Sequence, residues 1–217
     1  MTTIYKLTNQ DLTTHGGYRW VLGQWRKRDG TGPLCGPGWL HSYPDPLLAV
    51  LFNPIHADIP SPRLWRGEGR GKHLDDHGIK SGYTQMRIME ELPLPDIRIH
   101  HRVAFGLLCT LEINTEPAFA VWAKNWLSGQ DRSAAVAASA VAASAYAVHA
   151  RRSSSAAHAY AAATHAAATA YDTAAAYYAR ATYDAAVAAA AAIAYAYGNG
   201  NGIDLIDLMG RAMEVAP

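Results

Sequence analysis

Apolar and polar positions alternate in three well-marked stretches of the first hundred residues, and alternation is the period of a strand with one buried face. Thr3-Ile4-Tyr5-Lys6-Leu7-Thr8 is β-branched as well as alternating and predicts the first strand. Residues 63–70 alternate, with Gly67 and Gly69 at positions that predict bulges. Residues 83–92 place Met86, Ile88 and Leu92 on one face and predict the last clear strand, stopped by Pro93 and Pro95. Residues 18–25 read as a further strand, and 39–43 as a short extended piece. Between them, 26–30, 32–38, 55–62 and 71–82 carry the glycine, proline and charged residues of turns.

The helical period appears next. Asp45 can cap, Pro46 suits a first turn, and a short apolar helix follows until Asn53-Pro54 ends it. Residues 100–114 are long enough for a buried helix. Pro117–Leu127 sets Phe119, Trp122, Ala123 and Trp126 on one face, and Gly129 caps it. After a Gly/Asn turn at 198–202, residues 203–214 predict an amphipathic helix with Ile203, Ile206, Met209 and Met213 on one side.

Residues 132–197 differ in kind: half are alanine, and Gly, Pro, Leu, Glu and Lys are absent. Alanine loses no side-chain entropy in a helix, so propensity alone predicts a long helix or a hairpin bent at Arg151-Arg152-Ser153-Ser154-Ser155. At about 100° per residue, Tyr146, Tyr160, Tyr171, Tyr178 and Ile193 fall in one narrow arc. A sparsely charged alanine surface with such a seam predicts a homo-oligomer. The fold class expected is therefore α+β: a small mixed sheet with a few helices over 1–130, an Ala-rich helical oligomerisation segment over 131–197, and a turn and helix over 198–217.

A net charge of +1 argues against binding nucleic acid by bulk electrostatics. The start Met1-Thr2-Thr3-Ile4-Tyr5-Lys6 lacks a basic and apolar leader. Alanine runs broken by His, Arg, Asp and Ser argue against a membrane span, so the expected location is cytoplasmic. Cys35 and Cys109 have no partners at zinc spacing, and their pairing is left open.

Several motifs together resemble a family of phage and prophage proteins. They are the Tyr5-Lys6-Leu7-Thr8 strand, the Cys35-x-x-Gly38-x-x-His41-x-Tyr43 turn and the Asn53-Pro54-Ile55-His56-Ala57 loop. Pro62-Arg63-Leu64-Trp65, the exit Glu91-Leu92-Pro93-Leu94-Pro95 and the close Trp126-Leu127-Ser128-Gly129-Gln130-Asp131-Arg132 complete the match, ahead of an alanine-rich tail. The resemblance covers about 130 residues, implies a phage origin and carries no activity with it.

Candidate chemistry gathers at His41 and Tyr43, beside the glycine-rich loop. The strand, turn and helix there are loosely similar to ADP-ribosyltransferase-like folds. That likeness would set His41 and Tyr43 against a nicotinamide cofactor and use Glu68 or Glu90 to stabilise an oxocarbenium-like centre. The simpler reading of His41 is a buried histidine bonded to a loop. His73, Asp76 and His77 lie on an expected turn and predict no metal site. The reading expected is thus a non-enzymatic module with no cofactor, binding a small molecule or host protein through His41, Tyr43, His56 and Glu68. The alternatives are an NAD-consuming transferase and a sequestering inhibitor of host defence.

Overall fold

Two long strands form the frame of the first half: β6 (Arg63–Asp76) and β7 (Lys80–Leu92), an antiparallel hairpin. The computed structural model describes residues 1–113, 117–130, 132, 184–185, 187–189, 191–193, 196 and 200–217. The chain divides into two compact units, Met1–Asp96 and Ile97–Pro217. The helices at Ile99–Leu111 and Pro117–Leu127, grouped with the sheet in the expected 1–130 module, fall in the second unit.

In the first unit β1 (Thr2–Thr8) pairs antiparallel with β6, from Thr2 opposite Gly69 to Thr8 opposite Arg63. The other edge of β7 takes two short strands, β4 (Arg26–Lys27) and β5 (Leu40–Ser42). One residue past β5, Tyr43 exchanges backbone hydrogen bonds of 2.9 and 2.8 Å with Tyr5. Strands β1, β6, β7 and β5 thereby close into an antiparallel circuit, which removes the exposed edge of β1. A separate ribbon, β2 (Thr13–Thr14) with β3 (Tyr18–Arg19), delivers Trp20 into the core beside Ile4, Leu40, Trp65, Tyr83, Met86 and Ile88.

Glycines let this small circuit hold large rings. A Cβ at Gly69 would sit 2.8 Å from the Tyr83 ring, and one at Gly67 would strike the Arg87 carbonyl. The register shifts at Arg66/Gly67 and between Arg70 and His73, so Gly67 marks a bulge and Gly71 falls in the second, whereas Gly69 pairs regularly with Met86. Inside, the Trp65 indole N–H donates to the Thr8 hydroxyl at 2.9 Å, satisfying both buried groups.

Helix α1 (Pro46–Leu51) starts as its sequence dictates: the Asp45 carboxylate accepts from the Leu47 and Leu48 amides at 2.7 and 3.4 Å. Asn53-Pro54 does not open a loop. It begins a second short helix, α2 (Asn53–His56), because proline is tolerated in a first turn.

In the second unit, α3 (Ile99–Leu111) is the buried helix expected there, and α4 (Pro117–Leu127) buries its expected face of Phe119, Trp122, Ala123 and Trp126. Gly106 of α3 lies 3.0 Å (as a Cβ) from the Ala185 carbonyl and 3.4 Å from the Ala188 methyl. The described residues between 184 and 196 are helical. The last helix, α5 (Leu205–Met213), buries Leu205, Leu208, Met209 and Ala212. Of the expected face, Ile203 and Met209 are buried and Met213 is half-buried, but Ile206 is 62 % exposed.

Three other expectations are corrected. The sheet is not mixed, since every pairing is antiparallel. No long Ala-rich helix stands among the described residues, where the longest helix is α3 with 13 residues. Most of 131–197 lies outside the described residues. Finally, residues 71–82 are not a turn. β6 runs to Asp76, the chain reverses at His77 and Gly78 (φ 51° and 76°), and β7 resumes at Lys80.

Candidate functional site

A cavity of about 490 Å³ opens in the first unit, within the range of small-molecule sites. Its wall comes from separate stretches of chain: Lys6 of β1, Trp20 after β3, His41 and Tyr43 around β5, and His56 at the end of α2. Tyr18, Arg28, Cys35 and Trp39 extend it.

Each histidine is fixed by local structure. The loop before β5 folds back because Gly36 donates to the Pro33 carbonyl at 2.8 Å and Trp39 donates to the Gly32 carbonyl at 3.1 Å. Gly38 is required there, since a Cβ would lie 2.2 Å from the Thr31 carbonyl. This loop brings the Leu34 carbonyl onto His41 Nε2 in a close hydrogen bond. The carbonyl can only accept, so Nε2 carries the proton and Nδ1 is the accepting nitrogen of the neutral ring. Burial lowers the His41 pKa, with the Leu34 bond opposing, and so favours that neutral form.

His56 stacks between Tyr43 and Phe52, at ring separations of 5.9 and 5.5 Å. Burial pushes its pKa down to about 4, while burial raises that of Tyr43. The phenol therefore keeps its proton, and its oxygen is hydrogen-bonded with His56 Nδ1 at 3.3 Å, in the direction that the ring's tautomer sets. Tyr43 and His56 form a neutral, hydrogen-bonded pair at physiological pH.

Lys6 was not singled out in the sequence. It lies on the same face of β1 as Ile4 and Thr8, which are both buried. Its ammonium donates to the His41 carbonyl at 2.6 Å and lies 5.3 Å from the Trp20 ring centroid. Burial lowers its pKa from 10.5 to about 8. The signal that could have found it is a lysine interrupting an otherwise buried strand face. Arg28, expected on a solvated turn, lies over the Tyr18 ring at 4.4 Å and also lines the cavity. Among the described lining residues there is no carboxylate.

Of the four expected ligand-binding residues, His41, Tyr43 and His56 come together. Glu68 does not line the cavity. It stands opposite Arg87 in the register and accepts from its guanidinium at 2.9 and 2.6 Å. Glu90 is likewise opposite Arg66 and paired with it. Cross-strand pairing has taken both carboxylates that a transferase reading needs. His73 stacks on Tyr83 at 4.5 Å, and no cluster of three metal-ligating side chains stands among the described residues. Cys35 and Cys109 are free thiols, the first exposed and the second buried.

Of the expected oligomer seam, Tyr146, Tyr160, Tyr171 and Tyr178 lie outside the described residues. Ile193 is fully buried within the chain and so has no surface to offer a second copy. No helix among the described residues is long and apolar enough to cross a membrane. No protein-family model matches this chain, and neither the curated proteins nor the solved structures give a match.

Proposed function

We propose that the first unit is a small-molecule-binding module whose cavity takes a planar molecule bearing an anionic or other electron-rich oxygen. The observation that carries this is Lys6, a half-buried cation in an aromatic-walled cavity with no carboxylate among its described lining residues. Its hydrogen-bond partner there is a backbone carbonyl, which orients the ammonium without neutralising it. An uncompensated buried charge is costly, and a ligand oxygen would offset that cost. Trp20, Trp39 and Tyr18 supply flat apolar walls for the rest of the molecule. His41 and the Tyr43–His56 pair add neutral donors and acceptors that would set orientation. The resemblance to phage and prophage proteins makes an infected bacterial cell the expected setting.

The test is a titration followed by tryptophan fluorescence, since Trp20 and Trp39 line the cavity. Benzoate should give a saturable response and benzylamine none. Binding should strengthen below pH 8, where Lys6 is charged, and weaken above it. Lys6→Met should weaken benzoate binding at least tenfold, roughly the 1.4 kcal/mol expected of one charge-assisted contact. An equal response to benzylamine, or full affinity in Lys6→Met, would remove this reading.

A further inference from the structure

We propose that Lys6 captures small aldehydes and ketones covalently, its amine forming an imine with a carbonyl carbon held in the cavity. This rests on the reading of the cavity as a ligand site and names the class of ligand it takes.

The placement of the amine carries the argument. Lys6 is held at three points: its backbone is in β1, its ammonium lies near the Trp20 ring, and one N–H is used on the His41 carbonyl. That carbonyl accepts from a neutral amine as well as, more strongly, from an ammonium, so the nitrogen keeps a hydrogen bond that positions it when it loses a proton. Where a carboxylate stood in its place, the ammonium would be locked in. The other lysines differ. Lys80 is shared between Asp76 and Cys35 at 3.7 and 3.3 Å, while Lys27, Lys72 and Lys124 are exposed.

Burial supports the chemistry. With a pKa of about 8 rather than 10.5, the fraction of free amine near pH 7.5 rises by roughly two orders of magnitude. The step balances without an oxidant or reductant. The nitrogen lone pair attacks the carbonyl carbon, the C=O π bond breaks, and a carbinolamine forms. The C–O bond then breaks, and the oxygen leaves as water with the two protons that the amine nitrogen gives up. Tyr43, which lines the same cavity, relays one of these protons: its phenol gives a proton to the departing oxygen and takes one back from the nitrogen.

The experiment treats the full chain with 4-formylbenzoate and cyanoborohydride at pH 7.5, followed by peptide mapping. The expected result is one reduced adduct on Lys6, at least tenfold above any of Lys27, Lys72, Lys80 or Lys124. Benzoate should slow labelling at Lys6 and leave the other lysines unchanged. Lys6→Arg should lose the adduct, because a guanidinium forms no stable imine. Uniform labelling of all five lysines, or no labelling of Lys6, overturns the proposal. If benzoate binds and Lys6 stays unlabelled, this inference alone fails; if benzoate does not bind either, the cavity reading fails with it.

Discussion

The two units solve the problem of close packing in opposite ways. In Met1–Asp96, large flat rings lie over positions that lack a side chain: Tyr83 covers Gly69, and Trp39 approaches Gly82. In Ile97–Pro217, small side chains meet small ones, as Gly106 meets Ala185 and Ala188, and Ala189, Ala192 and Ala196 are buried with them. Rings spaced by glycine do not tile without gaps, and the cavity lined by Lys6, His41 and His56 lies in that unit. Alanine surfaces approach closely and bury little area each, so the second unit leans on a few large residues, among them Phe105, Phe119 and Trp126. The unit that holds the cavity and the unit with the alanine-rich core thus differ in the side-chain sizes that build them.

The comparison breaks most visibly at Phe105, which is 1 % exposed. Phe105→Ala should cost about 3–5 kcal/mol, the range for emptying a fully buried aromatic site. Urea unfolding followed by circular dichroism reads it, and a loss under about 1 kcal/mol would mean that the alanine packing relaxes freely.

Acid should weaken the site-bearing unit through His56. The folded His56 has a pKa of about 4 against 6.5 for the free side chain. The unfolded chain therefore takes up this proton first as pH falls below 6.5. The contribution of the neutral ring is whole above 6.5 and is lost progressively down to about 4, some 2–3 kcal/mol across that window. Comparing wild type with His56→Gln at pH 7 and pH 4.5 isolates this share from the carboxylates. Parallel acid slopes for the two proteins would show that His56 is not desolvated as described.

A pair of glycine substitutions gives the smallest and most pointed contrast. Gly69→Ala drives a methyl into the Tyr83 ring and should cost about 1–3 kcal/mol. Gly106→Ala also meets a tight contact, but within a helix it recovers up to about 1 kcal/mol of propensity, so its net loss should be smaller. Thermal midpoints of the two variants order them, and the reverse order would undo the distinction drawn between ring-over-glycine and alanine packing.

Much of the local structure was legible. Asp45-Pro46 sets a helix start because its carboxylate reaches amides two and three residues on. Phe119, Trp122, Ala123 and Trp126 share a face because the helical period puts them there. The stretch 71–82 was misread because a hairpin end exposed on both sides shows no alternation: residues 70–75 are all exposed. Residues 18–25 misled in the opposite way. Their aromatics suggested one strand, yet only Tyr18–Arg19 pairs, and Gly23 at φ 73° turns the chain. His41 and Tyr43 drew attention through their motif, while Lys6 looked like an ordinary strand residue until its neighbours were known.

By itself the sequence determined what depends on a few neighbouring residues: caps, turn residues, the period of each face and the antipathy of proline for strands. Tertiary structure alone decided the meeting of Lys6, His41, Tyr43 and His56, which are spread over fifty residues and joined where Tyr43 bonds back to Tyr5. It also decided the diversion of Glu68 to Arg87, which follows from the register of β6 against β7. Both are matters of closure and register, set by the packing of whole strands, and no short window of sequence contains that information.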